Sequence, residues 1–318
     1  MAALNIANLY ESAQEVEGVV RVNHPAMKTA CNQSEYLTMD LSNITGSISA
    51  FAWDNKYNSS YIPKENDIIC IHGRTKILPI SKAVAIDLYE ILPIAKVADN
   101  PISFMPLPAG VNKTDLQELV EIIDGLSSPS LKMFLYNVFS DETITNQFIT
   151  GKASAEHHHS EYGGLLRHSL EVVRFVKRCT EIPHHELEVG VTAAILHDIV
   201  KVTEYYNRGK SAPPMVNHNT RTLAMLDEPL KQLDKSWNGG AGLLRICLEC
   251  PLIKQDMRNR KIHMPAIADA VHFGDQISAA TYKEHMVSEM MEDWQQYMKY
   301  YSENYWRCPP EQTNEIVE

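Results

Sequence analysis

Gly163-Gly164-Leu165-Leu166-Arg167-His168, followed by His197-Asp198 at the end of the run "ELEVGVTAAILHDIVKVTEYY", is the stretch on which the reading of this chain turns. A histidine on one helix and an adjacent His–Asp pair closing a second, almost wholly apolar helix aim three ligand atoms at one point. A carboxylate buried there without a partner costs several kcal/mol, so the pair demands one. Imidazole nitrogens and a carboxylate suit manganese, iron, nickel, cobalt or zinc. Asp275, in the later helical pattern "HFGDQISAAT", is the candidate for the further carboxylate that closes such a site. The metal ligands expected are therefore His168, His197, Asp198 and Asp275, and the chemistry they imply is metal-assisted hydrolysis.

Around that core lie candidates for contact with substrate. Lys201 is three residues beyond Asp198 and shares its helical face. It is placed to neutralise a phosphoryl oxygen as charge builds, or more simply to pair with Glu204. His218 follows "APPMVN" and offers another ligand or a phosphate contact. Of the run His157-His158-His159, His158 and His159 are candidates to face the site, a solvated loop being the alternative.

Upstream the pattern changes period. "EVEGVVRV", "EYLTMDL", "SISAFAWD" and "NDIICIHGRTKI" alternate or are β-rich, with Asn43-Ile44-Thr45-Gly46 as a hairpin turn. Four or five strands of unequal connection predict a small OB-type barrel over residues 1–97, a common oligonucleotide platform. On the third strand Phe51 and Trp53 share one face. Phe51 is the candidate for base stacking and Trp53 for closing the barrel core, with Arg74 and Lys76 as phosphate contacts. The proline-rich residues 98–113 read as a linker, and helical periodicity holds from an expected N-cap at Thr114 to about residue 305. The tail 306–318 is expected to be disordered. The fold class predicted is multidomain: an all-β barrel followed by an all-α domain.

Composition narrows the partners. At 318 residues, 44% of them hydrophobic and 22% charged, the chain has material for one large or two ordinary domains. A net charge of −11 excludes broad electrostatic affinity for nucleic acid, so contacts with such a polyanion must be few and local. No run has the apolar length of a membrane helix, the first residues are too polar for a signal peptide, and the six cysteines are scattered. These features predict a reduced, cytoplasmic protein. Cys247 and Cys250 form a lone CxxC, read as a buried helical pair rather than a zinc knuckle.

Taken together, His168, His197-Asp198 and Asp275 resemble the HD superfamily of metal-dependent phosphohydrolases. The barrel segment and "ASAEHHHSEYGGLLRHSLEVV…AAILHDIVKVTEY", in that order, resemble the YhaM-type 3′→5′ exoribonucleases. The same HD pattern is similar to that of conjugation-associated relaxase-like proteins. The resemblance implies a single-strand 3′→5′ exonuclease of RNA or DNA, a divalent metal (manganese foremost, with Fe, Co, Ni, Zn or Mg as alternatives) and a homo-oligomer. His218 matches the next family histidine. Two departures stand out: Val200 replaces a glycine, and "CLECPLIKQD" replaces a histidine pair that helps hold a second metal or the substrate phosphate. A nucleotide or small-phosphoester phosphohydrolase, or a non-catalytic binding protein with a degenerate site, are the alternative readings.

Overall fold

The computed structural model describes residues 3–53, 61–94, 100–154, 159–204, 218–260 and 263–290. Five strands, β1 (Glu15–Thr29), β2 (Glu35–Asn43), β3 (Gly46–Trp53), β4 (Ile68–Ile77) and β5 (Val84–Pro93), close a barrel in the order β1-β2-β3-β5-β4. All neighbours are antiparallel except β3 and β5, which run parallel and so need a crossover, made through β4. Alternation does the sorting: Val16, Val20, Val22, Leu37, Met39, Leu41, Ile48, Ala50, Ile69, Ile71, Ile86 and Leu88 point into one core. The turn at 43–46 sets the β2–β3 register, pairing Asn43 with Gly46 and Tyr36 with Trp53. The first strand runs beyond the expected Val22 to Thr29. It does so through a bulge between Asn23 and Ala26, where His24 has φ +51° and Pro25 brings no amide donor.

The helices follow: α1 (Lys113–Gly125), α2 (Pro129–Phe139), α3 (Glu142–Thr150), α4 (Gly164–Val176), α5 (His184–Leu196), α6 (Lys201–Glu204), α7 (His218–Met225), α8 (Asp227–Arg260) and α9 (Ala266–Met290). Asn112, not Thr114, caps α1: its side chain accepts the Thr114 amide at 2.8 Å, as a short amide at Ncap does well. Residues Glu188 to Leu196 of α5 are all buried, so this helix is central, with α4, α8 and α9 against it. α8 is two helical segments meeting at Trp237, whose φ/ψ of −155°/83° is non-helical. Cys247 is buried on α8; the side chain of Cys250 and the tail 306–318 lie outside the described residues.

The stretch read as a linker is in part packed. Residues Pro101–Phe104 form a 3-10 turn capped by Asn100, and Ile102 and Phe104 are fully buried. Arg21 of β1 donates to the Phe104 carbonyl at 3.0 Å and to Glu142 of α3 at 2.7 Å. Ile44, in the β2–β3 turn, joins the helical core rather than the barrel core. Proline-rich composition marks a chain that leaves regular structure. It does not reveal whether apolar residues such as Ile102 and Phe104 find a surface to cover.

Candidate metal centre

His168 sits on α4 because of what precedes it. Gly163 has φ +78°, a left-handed conformation that glycine adopts without cost. A Cβ at 164 would lie 2.1 Å from the His159 carbonyl oxygen, so only glycine lets α4 begin there. His197 and Asp198 stand where α5 runs out, and Asp275 comes from α9. The first three are held by buried helices, and their ligand atoms lie within 4.8 Å of one another.

The geometry is convergent. His168 Nε2 is 3.1 Å from His197 Nε2, 3.4 Å from Asp198 Oδ2 and 3.2 Å from Asp275 Oδ1. His197 Nε2 is 3.5 Å from Asp198 Oδ2 and 3.7 Å from Asp275 Oδ1. His197 Nδ1 donates to the Ala194 carbonyl at 2.9 Å, which fixes its proton there and turns the Nε2 lone pair inward. Two inward imidazole nitrogens and two carboxylate oxygens are a donor set that fits a divalent transition metal. His168, His197, Asp198 and Asp275 are the residues that would hold it.

The electrostatics agree. Burial disfavours charge on His168, but hydrogen bonds to Asp198 and Asp275 outweigh it and push its pKa up from 6.5 to about 9. Burial likewise works against the Asp198 anion; His197, His168, His218 and Lys201 hold it well below the usual carboxylate range all the same. Asp275 is lowered against its burial by His168 and His197. Such a pocket is built around positive charge.

The other candidates divide. Lys201 pairs with Asp198 Oδ2, and His218 Nε2 is 2.9 Å from Asp198 Oδ1, so both touch the same carboxylate. His158 lies outside the described residues. His159 is not open to a substrate: it is 1% exposed, and its Nε2 lies 3.0 Å from Glu171. A run of three histidines carries no periodicity from which to tell which one turns inward. Sequence reasoning also missed His272, one turn before Asp275, which lines the same cavity of about 90 Å³ with His197, Asp198, His218 and Asp275. The stretch that replaces the expected histidine pair contributes Cys247 and Leu248 to that wall, and Glu249 is not among its lining.

On the barrel, Phe51 and Trp53 are both half-buried on the outer face, so Trp53 does not close the core. Tyr36 stacks on Trp53 with centroids 4.6 Å apart and lies 6.2 Å from Phe51. Lys76 Nζ lies 5.1 Å above Phe51 and 5.9 Å above Trp53, within cation–π range. Its charge is shared with Asp87 at 3.3 Å, while Arg74 lies 3.5 Å from Glu15.

The HD-domain family model matches residues 165–247, the segment that runs from the start of α4 through His168, His197 and Asp198 to Cys247. The chain carries an HD domain. Asp275 lies beyond the matched segment of that HD domain and is brought to it by α9. Two curated proteins named 3′-5′ exoribonuclease YhaM are similar to the chain. One, from Bacillus subtilis (strain 168), is 22% identical over 209 residues, covering 62% of each chain. Another, from Bacillus pumilus (strain SAFR-032), is 22% identical over 197 residues, covering 61% of this chain and 62% of the relative. The match therefore spans about six-tenths of those relatives. The five-stranded barrel precedes the helices of the HD domain, as expected. Among the described residues no helix is long and apolar enough to cross a membrane.

Proposed function

We propose that the protein is a metal-dependent 3′→5′ exonuclease that hydrolyses phosphodiester bonds of single-stranded RNA or DNA. The observation that carries this reading is the convergence of His168, His197, Asp198 and Asp275 on one point, in a chain whose barrel presents Tyr36, Phe51 and Trp53 outward. The similarity to the two exoribonucleases supports it. A divalent metal, manganese by preference, would supply Lewis acidity and activation of water for attack at phosphorus.

The chain's own residues do the rest. His197, with Nδ1 tied to Ala194, and His168 present fixed nitrogens, so no reorganisation is needed when substrate arrives. Lys201 and His218, now on Asp198, are the groups placed to meet phosphoryl oxygens. His272, on the cavity wall, joins them as a further candidate. Phe51, Trp53 and Tyr36 offer π-faces to unstacked bases, and Lys76 and Arg74 supply local cations in a chain of net charge −11. The barrel thus orients the strand, and the HD domain cuts it. A division at 1–97 and 114–305, a cytoplasmic location and a homo-oligomeric assembly go with this reading.

The net charge of −11, which disfavours broad affinity for a polyanion, favours a second reading, hydrolysis of a nucleotide or small phosphoester. End-labelled single-stranded RNA and DNA, incubated with manganese, separate the two. A ladder shortening from the 3′ end is expected. Intact strands beside hydrolysis of a nucleotide or an aryl phosphoester would replace the first reading by the second. Intact strands and no phosphoester hydrolysis, with metal absent from the protein, would leave a binding protein.

A further inference from the structure

The ring of His168 has two nitrogens. Nε2 faces the acids of the metal centre; Nδ1 faces away, into a line of polar groups outside the set assigned above. Ser278 Oγ lies 2.9 Å from His168 Nδ1 and donates to Glu171 Oε2 at 2.6 Å. His159 Nε2 meets the same Glu171 oxygen at 3.0 Å. His168, Ser278 and His159 are each at most 5% exposed, and the Glu171 side chain is 34% exposed, so water reaches the line only at its glutamate end. Two helices supply both faces of the arrangement. α4 carries His168 and, one turn on, Glu171; α9 carries Asp275 and, one turn on, Ser278. Each helix thus sends one residue to the metal side and one to the far side of the same imidazole.

Hydrogen counting decides the direction. Burial opposes charge on Glu171, but His159 and Ser278 hold its carboxyl below the ordinary range, so it is an anion that only accepts. The Ser278 hydroxyl has one hydrogen, and Glu171 takes it. Ser278 can then only accept from His168, and Nδ1 must carry a hydrogen.

We propose that Glu171, acting through Ser278 and anchored by His159, is a positioning residue that holds His168 as its Nδ1–H tautomer. When a metal displaces the Nε2 proton, the lone pair released there is the one already aimed between Asp198 and Asp275. The proposal rests on the reading of that site as a metal centre. Partners of this kind fix the ring and raise the basicity of a ligating histidine, and their loss weakens metal binding about 10–100-fold. It also explains His159, whose burial no substrate contact requires.

The test compares the full-length wild type with Ser278→Ala and Glu171→Gln, measuring zinc and manganese affinity by chelator competition and the thermal midpoint of chelator-treated protein. In Glu171→Gln the new amide can donate to Ser278, whose hydroxyl then turns to donate to Nδ1 and favours the other tautomer. Affinity is expected to fall about tenfold or more in both variants, with the metal-free midpoint within a few degrees of wild type. Long-range ¹H–¹⁵N spectra of the zinc-loaded wild type are expected to show His168 protonated at Nδ1 and bound through Nε2. Unchanged affinity in both variants, or a His168 bound through Nδ1, would overturn the proposal while leaving the metal centre intact. A wild type that takes up neither metal would overturn the metal reading and this proposal with it.

Discussion

Metal uptake should expel a proton from His168, and the structure sets the scale. Its Nε2 lies within 3.4 Å of Asp198 and Asp275, and these anions raise its pKa from 6.5 to about 9 despite complete burial. A cation bound at Nε2 needs the lone pair that this proton occupies. At pH 7 the proton must leave a group titrating near 9, a penalty of about two pH units, on the order of a hundredfold in affinity. The logarithm of the association constant is therefore expected to climb by about one per pH unit from pH 7 and to level off above pH 9. Titration calorimetry in buffers of different ionisation enthalpy reads the proton directly: about one released per metal near pH 7. The same shift has a consequence for the metal-free fold. A value raised on folding stabilises the protein fully below the unfolded 6.5, and that contribution is lost as pH rises through about 9. The thermal midpoint of chelator-treated protein should fall across this window, and metal should restore it. Affinity independent of pH from 7 to 9, with no proton released, would refute the reasoning.

Three further outcomes follow from particular contacts. Asp198→Ala removes the carboxylate shared by His168, His197, Lys201 and His218, and bound metal by elemental analysis should drop at least about tenfold; full retention would remove Asp198 from the site. Phe51→Ala and Trp53→Ala should each weaken single-strand binding by about 1–3 kcal/mol in fluorescence titrations, with thermal midpoints little changed because both rings are half-exposed. A large fall in midpoint with unchanged binding would make them packing residues instead. Arg21→Ala strips a donor from the Phe104 carbonyl and a partner from Glu142, at a cost of about 1–3 kcal/mol, and should speed limited proteolysis between residues 100 and 110; equal cutting rates would show that Arg21 does not pin this segment.

Much of the site was legible because its signals are local. Gly163-Gly164 before His168, and His197-Asp198 at the end of an apolar run, are adjacent in sequence, and an apolar helix ending in two polar groups has few places to go. The aromatic ladder was within reach as well: counting back from the turn at 43–46 pairs Tyr36 with Trp53, although the reading stopped at Phe51 and sent Trp53 inward. His272 and Ser278 carried a weaker signal, each one turn from Asp275, and Glu171 one turn from His168. Helical spacing says that such residues lie on neighbouring turns. It does not say which of them faces the metal side and which the far side of the imidazole.

By itself, then, the sequence determined the period of each segment, and with it the alternating barrel and the helical remainder, and it singled out the four residues whose side chains converge. Tertiary structure alone decided which partner each buried group took. It turned His159 toward Glu171 rather than toward a substrate, drew Lys201 and His218 onto Asp198, placed Ile102 in the helical core and tied the Phe104 carbonyl to Arg21. The physical reason is that periodicity follows from backbone geometry within a few residues. The choice of partner instead depends on how α4, α5 and α9 approach one another, and buried polar groups must satisfy one another wherever that approach leaves them.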